Sequence, residues 1–117
     1  MRFLWVFLFA ATVSPLSAHA MSRGTAVSAG SFFAAAARCE AHNLITPGQT
    51  DALMKALKPY LSSSDQQHLR SGYARGEKDA TVYVVQQKRW SPFSPDSSSC
   101  YRVQGVLDDY KTQLGVD

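Results

Sequence analysis

Between Leu69 and Trp90 the apolar and small positions recur at steps of three and four. Leu69, Gly72, Tyr73, Gly76, Ala80, Tyr83, Val84 and Gln87 share one helical face, while Arg70, Arg75, Lys78, Gln86 and Arg89 lie mostly on the other. The run opens with capping residues: Ser63 with Gln66, or Ser64 with Gln67, fits a capping box, and Asp65 suits the positive end of the dipole. Lys88 and Arg89 suit the negative end. The pattern predicts one helix of about 25 residues, roughly 38 Å long. Thr81 to Val85 is rich in β-branched residues and offers a short strand as the competing reading. Helix is preferred because the stripe stays in phase through Val84 and Gln87. Gly72, Gly76 and Ala80 make one ridge nearly bare, and interior glycine costs about 1 kcal/mol against alanine. A close neighbour, most simply another helix of the same molecule, is therefore expected on that ridge.

Three further helices are predicted. Ser31 is placed as the N-cap of a first one, with Phe32, Phe33, Ala36, Ala37 and Cys39 on its apolar side and Asn43 as a left-handed stop. Thr46-Pro47-Gly48-Gln49 reads as a second start, with Thr46 capping, Pro47 in the first turn and Gln49 reaching back. Leu53, Met54, Leu57, Tyr60 and Leu61 form its stripe, which Pro59 ends or kinks near Lys58. Trp90 to Ser99, with Pro92 and Pro95, reads as a loop. Ser98 or Ser99 then caps a last helix burying Cys100, Val103, Leu107, Tyr110 and Leu114.

Composition changes this picture at the start of the chain. Arg2, the apolar run from Phe3 to Val13, Pro15 and Ala18-His19-Ala20 have the order of a cleavable secretory signal ending before Met21. Residues 1–20 are therefore assigned to a signal peptide, 21–30 to a flexible Ser/Gly/Ala leader and 31–117 to a single helical domain. The fold class expected is all-α, a small four-helix bundle with one disulfide. The apolar run is shorter than the roughly 20 residues of a membrane span, so no membrane attachment is expected after cleavage. The mature protein belongs in the periplasm or outside the cell. In such an oxidising space Cys39 and Cys100, on the apolar sides of the first and last helices, predict a structural disulfide. Removing Arg2 leaves 11 Lys+Arg against 9 Asp+Glu, a net charge of +2. With no single-sign block, nucleic acid is not an expected partner.

Candidate chemistry is sparse. His42 and His68, near helix ends, lack a nucleophile-elbow serine, and Glu77 with Asp79 or Asp108 with Asp109 cannot face each other as acid pairs on a helix. Arg75 and Asp79 read as a surface ion pair. Cys39, His42, His68 and Cys100 could ligate zinc or copper if reduced, but disulfide formation competes for the thiols, so no metal and no cofactor is expected. A metal-binding protein and a small hydrolase are the lesser alternatives. Trp90 and Phe93, beside Lys88 and Arg89, have the make-up of a protein-interface anchor, unless both rings fold down over the end of the bundle.

Gly72-Tyr73-Ala74-Arg75-Gly76-Glu77-Lys78-Asp79-Ala80 resembles the G-Y-x-x-G-x-x-D-A stretch of small periplasmic immunity proteins that protect bacteria from type VI secretion amidase effectors. The resemblance continues through a loop and Cys100 into a last helix ending Val106-Leu107-Asp108-Asp109-Tyr110. Where that family has a cysteine just before the G-Y pair, this chain has Leu69-Arg70-Ser71. The resemblance implies a non-enzymatic, disulfide-linked four-helix inhibitor that binds a toxin. The chain is also similar in size, export, helicity and disulfide count to periplasmic acid chaperones of the HdeA type. The expectation is an exported protein that acts by binding a protein partner, not by turnover.

Overall fold

A computed structural model describes residues 21–116, so the expected signal peptide lies outside the described residues. Helix α1 spans Arg23–Ala41 and begins at Arg23, not at Ser31. Ser22 caps it, its hydroxyl accepting from the Thr25 N–H at 3.1 Å. The stretch expected as a flexible leader is thus mostly helical. Its small residues hide this from periodicity, because they make no stripe of large side chains. They serve close approach instead. A Cβ on Gly30 would stand 2.8 Å from the Tyr73 nitrogen and nearer still to the Leu69 carbonyl oxygen. One on Gly72 would stand 2.9 Å from the Val27 Cα and nearer still to the Val27 carbonyl oxygen.

Those contacts are with α3, Ser63–Asp79, which opens on a capping box between Ser62 and Asp65. The expected ridge is therefore filled from within by α1. Gly72 and Gly76 are buried along it, but Ala80 is not part of it, because the helix ends at Asp79 and Ala80 turns left-handed at φ 55°. Helices α1 and α3 run parallel: Met21 meets Asp65, Val27 meets Gly72, and Ser31 meets Gly76.

Beyond Ala80 the expected single long helix gives way to a hairpin. Strand β1, Thr81–Val84, pairs antiparallel with β2, Arg89–Pro92, through a 3-10 turn over Val85–Gln87. The left-handed alanine costs about 1 kcal/mol, and the pairing that it permits offsets this. The Phe93 N–H donates to the Ala80 carbonyl at 2.8 Å, and the β-branched run suits a strand better than a helix. The part of the expected 90–99 loop up to Pro92 is thus strand.

Ser31, expected as a cap, is fully buried inside α1 and clasps the hairpin. Its hydroxyl donates to the Ser28 carbonyl and accepts the Tyr83 N–H, both at 2.9 Å, while the Ser28 hydroxyl donates to the Tyr83 carbonyl at 2.9 Å. Two side chains therefore satisfy both backbone groups of Tyr83 on a strand edge that no third strand covers among the described residues. Ser31→Ala leaves the Tyr83 N–H without its acceptor and is expected to lower stability by about 2 kcal/mol. The readout is a lower urea midpoint at unchanged slope; an unmoved midpoint would show that the clasp carries no weight.

Helix α2, Gln49–Leu57, starts after Gly48 at φ 90° and not with Thr46 as cap. The cap comes from another element: the Glu40 carboxylate of α1 accepts from Gly48 N at 2.7 Å, Thr50 N at 2.9 Å and the Thr50 hydroxyl. Lys58–Tyr60 then forms a 3-10 turn, which leaves Tyr60 73% exposed and outside the expected stripe. Helix α4, Ser97–Leu114, is capped by Asp96 with Ser99 and runs antiparallel to α1, joined to it by the Cys39–Cys100 disulfide. The disulfide lies in a core with Phe33, Leu53, Leu69, Val103 and Leu107. The described residues are mostly helical, with four α-helices, one disulfide and an added two-stranded hairpin. No helix among the described residues is long and apolar enough to cross a membrane.

Candidate functional site

The hairpin sorts the expected interface residues onto two sides. Because the Tyr83 N–H and C=O are both taken by α1 serines, Tyr83 and Trp90 form a non-hydrogen-bonded cross-strand pair, the kind that brings side chains closest. Their rings lie 5.4 Å apart, tilted at 59°. The Arg75 guanidinium, from α3, sits 4.4 Å from the centre of the Trp90 ring, and its Nε lies 3.7 Å from the Asp79 carboxylate. The stacking is worth about 0.5–2 kcal/mol, and it fixes a cation on the ring face.

Beside this stack is a cleft of about 290 Å³ lined by Arg23, Gly24, Val27, Ser71, Arg75, Tyr83 and Trp90. Its lining holds two arginines and no carboxylate. At the hairpin turn Lys88 takes a left-handed backbone at φ 52°, and the Arg89 Nε donates to the Gln87 side-chain carbonyl at 3.0 Å. Both cations are exposed. Lys88 and Arg89 thus add two exposed cations at the hairpin turn that precedes Trp90, with Arg89 one step from Trp90 and so on the other side of the strand.

Phe93 does not join them. It packs against the core cluster and lines a separate groove of about 700 Å³ between the hairpin, α1 and α4. It lies three positions after Trp90, an odd step that puts the two on opposite sides of an extended chain. Arg75 and Arg23, which complete the Trp90 cleft, were not among the expected residues. The Arg75–Asp79 spacing was the one signal available, and it reads equally well as an isolated surface pair. A third groove, about 400 Å³, lies between α2 and α3 over Met54, Leu61, Leu69 and Tyr73, with Lys58 and Arg70 at its rim. Burial holds the Tyr73 phenol above the ordinary tyrosine value, and the Glu77, Asp51 and Glu40 carboxylates push the same way. Tyr110 is raised by burial alone, and Asp96 is lowered by hydrogen bonds from the Ser99 backbone and hydroxyl.

The other candidate groups are not brought together. Both thiols of the metal set are joined to each other, and no group of three or more His, Cys, Asp or Glu side chains suited to a metal occurs among the described residues. His42 is exposed at the end of α1, near Glu77 and Arg38, and His68 lies part-buried on α3. In the Gly72 to Ala80 stretch, Gly72 and Gly76 are the seat of α1, and Asp79 is the ion-pair partner of Arg75. Comparison with protein-family models, with curated proteins and with solved structures returns no match.

Proposed function

We propose that this chain is an exported, non-enzymatic protein that binds an acidic surface of a protein partner through the Trp90 end of its hairpin. The observation that carries the reading is the Arg75 guanidinium stacked on Trp90 beside a cleft whose lining holds no carboxylate, with Lys88 and Arg89 exposed at the hairpin turn that precedes Trp90. Arginine and tryptophan are the residues that most often dominate interface energetics, and here the stack holds both in place before any partner arrives. The disulfide is in keeping with an oxidising compartment. Within that reading, the Gly72 to Ala80 stretch favours an immunity protein that neutralises a delivered amidase effector.

Capture from periplasmic extract, followed by an amidase assay on the captured fraction, tests both levels. The parent chain is expected to retain a partner and suppress its activity. Trp90→Ala, and the paired charge reversal Lys88→Glu with Arg89→Glu, are each expected to weaken capture about tenfold or more, the loss of one interface anchor. Circular dichroism checks that the variants are folded. Equal capture by both variants removes the hairpin end as the site. A captured partner with no amidase activity removes the immunity reading and leaves the binding one standing.

A further inference from the structure

Asp65 is 2% exposed, yet no lysine, arginine or histidine lies within ion-pair distance of it among the described residues. Its Oδ2 accepts from the Ser62 N–H at 3.4 Å, which closes the capping box of α3. The same oxygen accepts from the Met21 nitrogen at 3.3 Å. Since α1 and α3 are parallel, the positive dipole ends of both helices lie side by side, and this one carboxylate sits between them. A buried charge without a counter-charge is costly. The group already at its oxygen that can become one is the Met21 nitrogen.

We propose that the bond between Ala20 and Met21 is the processing point of the chain and that the α-ammonium created there pairs with Asp65. Hydrolysis consumes one water, leaves a carboxylate on Ala20 and turns the Met21 amide nitrogen into an ammonium with three donors in place of one. A hydrogen bond from a neutral amide to the carboxylate thereby becomes an ion pair in which both partners are charged. Released at the start of α1, the same ammonium would otherwise face the unfavourable end of that helix's dipole. The inference rests on the reading that residues 1–20 are a cleaved leader. It goes beyond that reading by giving the cut an effect on folding: the mature fold is completed by removing the leader.

The test has two steps. First, the full chain is exported from a bacterial host, and the recovered protein is examined by intact mass and N-terminal sequencing, with Met21 expected as the first residue. No cleavage overturns the leader reading and the inference together. Cleavage at another bond overturns the inference alone. Second, four proteins are compared by urea unfolding: the mature chain, the same chain with Gly-Ser placed before Met21, and each of these carrying Asp65→Asn. Asparagine keeps the acceptor and the shape and removes the charge. The extension is expected to lower the folding equilibrium constant about tenfold in the parent and less than about twofold in Asp65→Asn. An equal loss in both backgrounds means that the ammonium and Asp65 are not coupled, and the inference fails.

Discussion

Gly30→Ala is expected to cost the protein at least about 3 kcal/mol, more than an ordinary overpacking substitution, because the new methyl group meets backbone on both sides. Its Cβ would stand 2.8 Å from the Tyr73 nitrogen and closer to the Leu69 carbonyl oxygen, and neither can rotate away as a side chain would. Relief requires α1 and α3 to separate, which also draws Ser31 off Tyr83 and unseats the hairpin. For a domain of this size the loss corresponds to a fall in Tm of roughly 15 °C or more. Gly72→Ala is expected to behave alike, since its Cβ would meet the backbone of Val27. Gly105 provides the contrast. It lies within α4 with nothing within 4 Å of an added Cβ, so Gly105→Ala should stabilise by about 0.4–1 kcal/mol. Thermal melts of the three variants decide the matter: similar shifts at Gly30 and Gly105 would falsify the claim that helix contact, not helix propensity, sets the cost.

The paired substitution Cys39→Ala with Cys100→Ala should lower stability by about 4 kcal/mol, the loop-closure entropy for cysteines 61 residues apart. Both positions are fully buried in the core between α1 and α4, and alanine there also removes packing. Net stabilities of single domains run from about 5 to 15 kcal/mol, so a loss of this size is a large share of the whole. Denaturant melts of the two proteins provide the check. A variant as stable as the parent would mean that the α1–α4 contact is held by Phe33, Val103 and Leu107 without the bond.

Legibility in the sequence tracks the physics of each signal. Long-range burial of large side chains at helical spacing was legible: Cys100, Val103 and Leu107 are buried along α4 as their periodicity requires. So was the stop at Asn43, whose φ of 60° needs only local chemistry, and the end of α2 before Pro59. The reversal at Ala80 was not legible. The residues after it stay in helical phase by count, and the choice of strand over helix was made by partners at Arg89–Pro92 and by two serines in α1. The cap of α2 escapes the sequence for a related reason, since Glu40 supplies it from a different helix. Start signals also drifted locally: Ser62 with Asp65 and Asp96 with Ser99 cap α3 and α4, slightly upstream of the expected residues.

The interface candidates divide in the same way. An aromatic and cationic cluster at Lys88 to Phe93 is visible from composition. Which ring faces which side depends on the extended geometry of β2, and a loop reading carries no alternation. Arg75 joins Trp90 only because the hairpin folds back along α3, bringing together residues 75 and 90 that one straight helix would have kept about 22 Å apart.

The parallel alignment of α1 and α3 also has a kinetic side. In an up-and-down bundle each helix can zip onto the next one as the chain emerges. Here α1 skips its neighbour, and its main contacts wait until Gly72 and Gly76 have been made and delivered. The loop that must close is long, and so are the closures that place Tyr83 on Ser31 and Cys100 on Cys39. Refolding is therefore expected to be slower than for an antiparallel bundle of the same length. During that interval Phe33 and the alanine-rich side of α1 stand open to water, and holdase binding to the nascent chain should concentrate there.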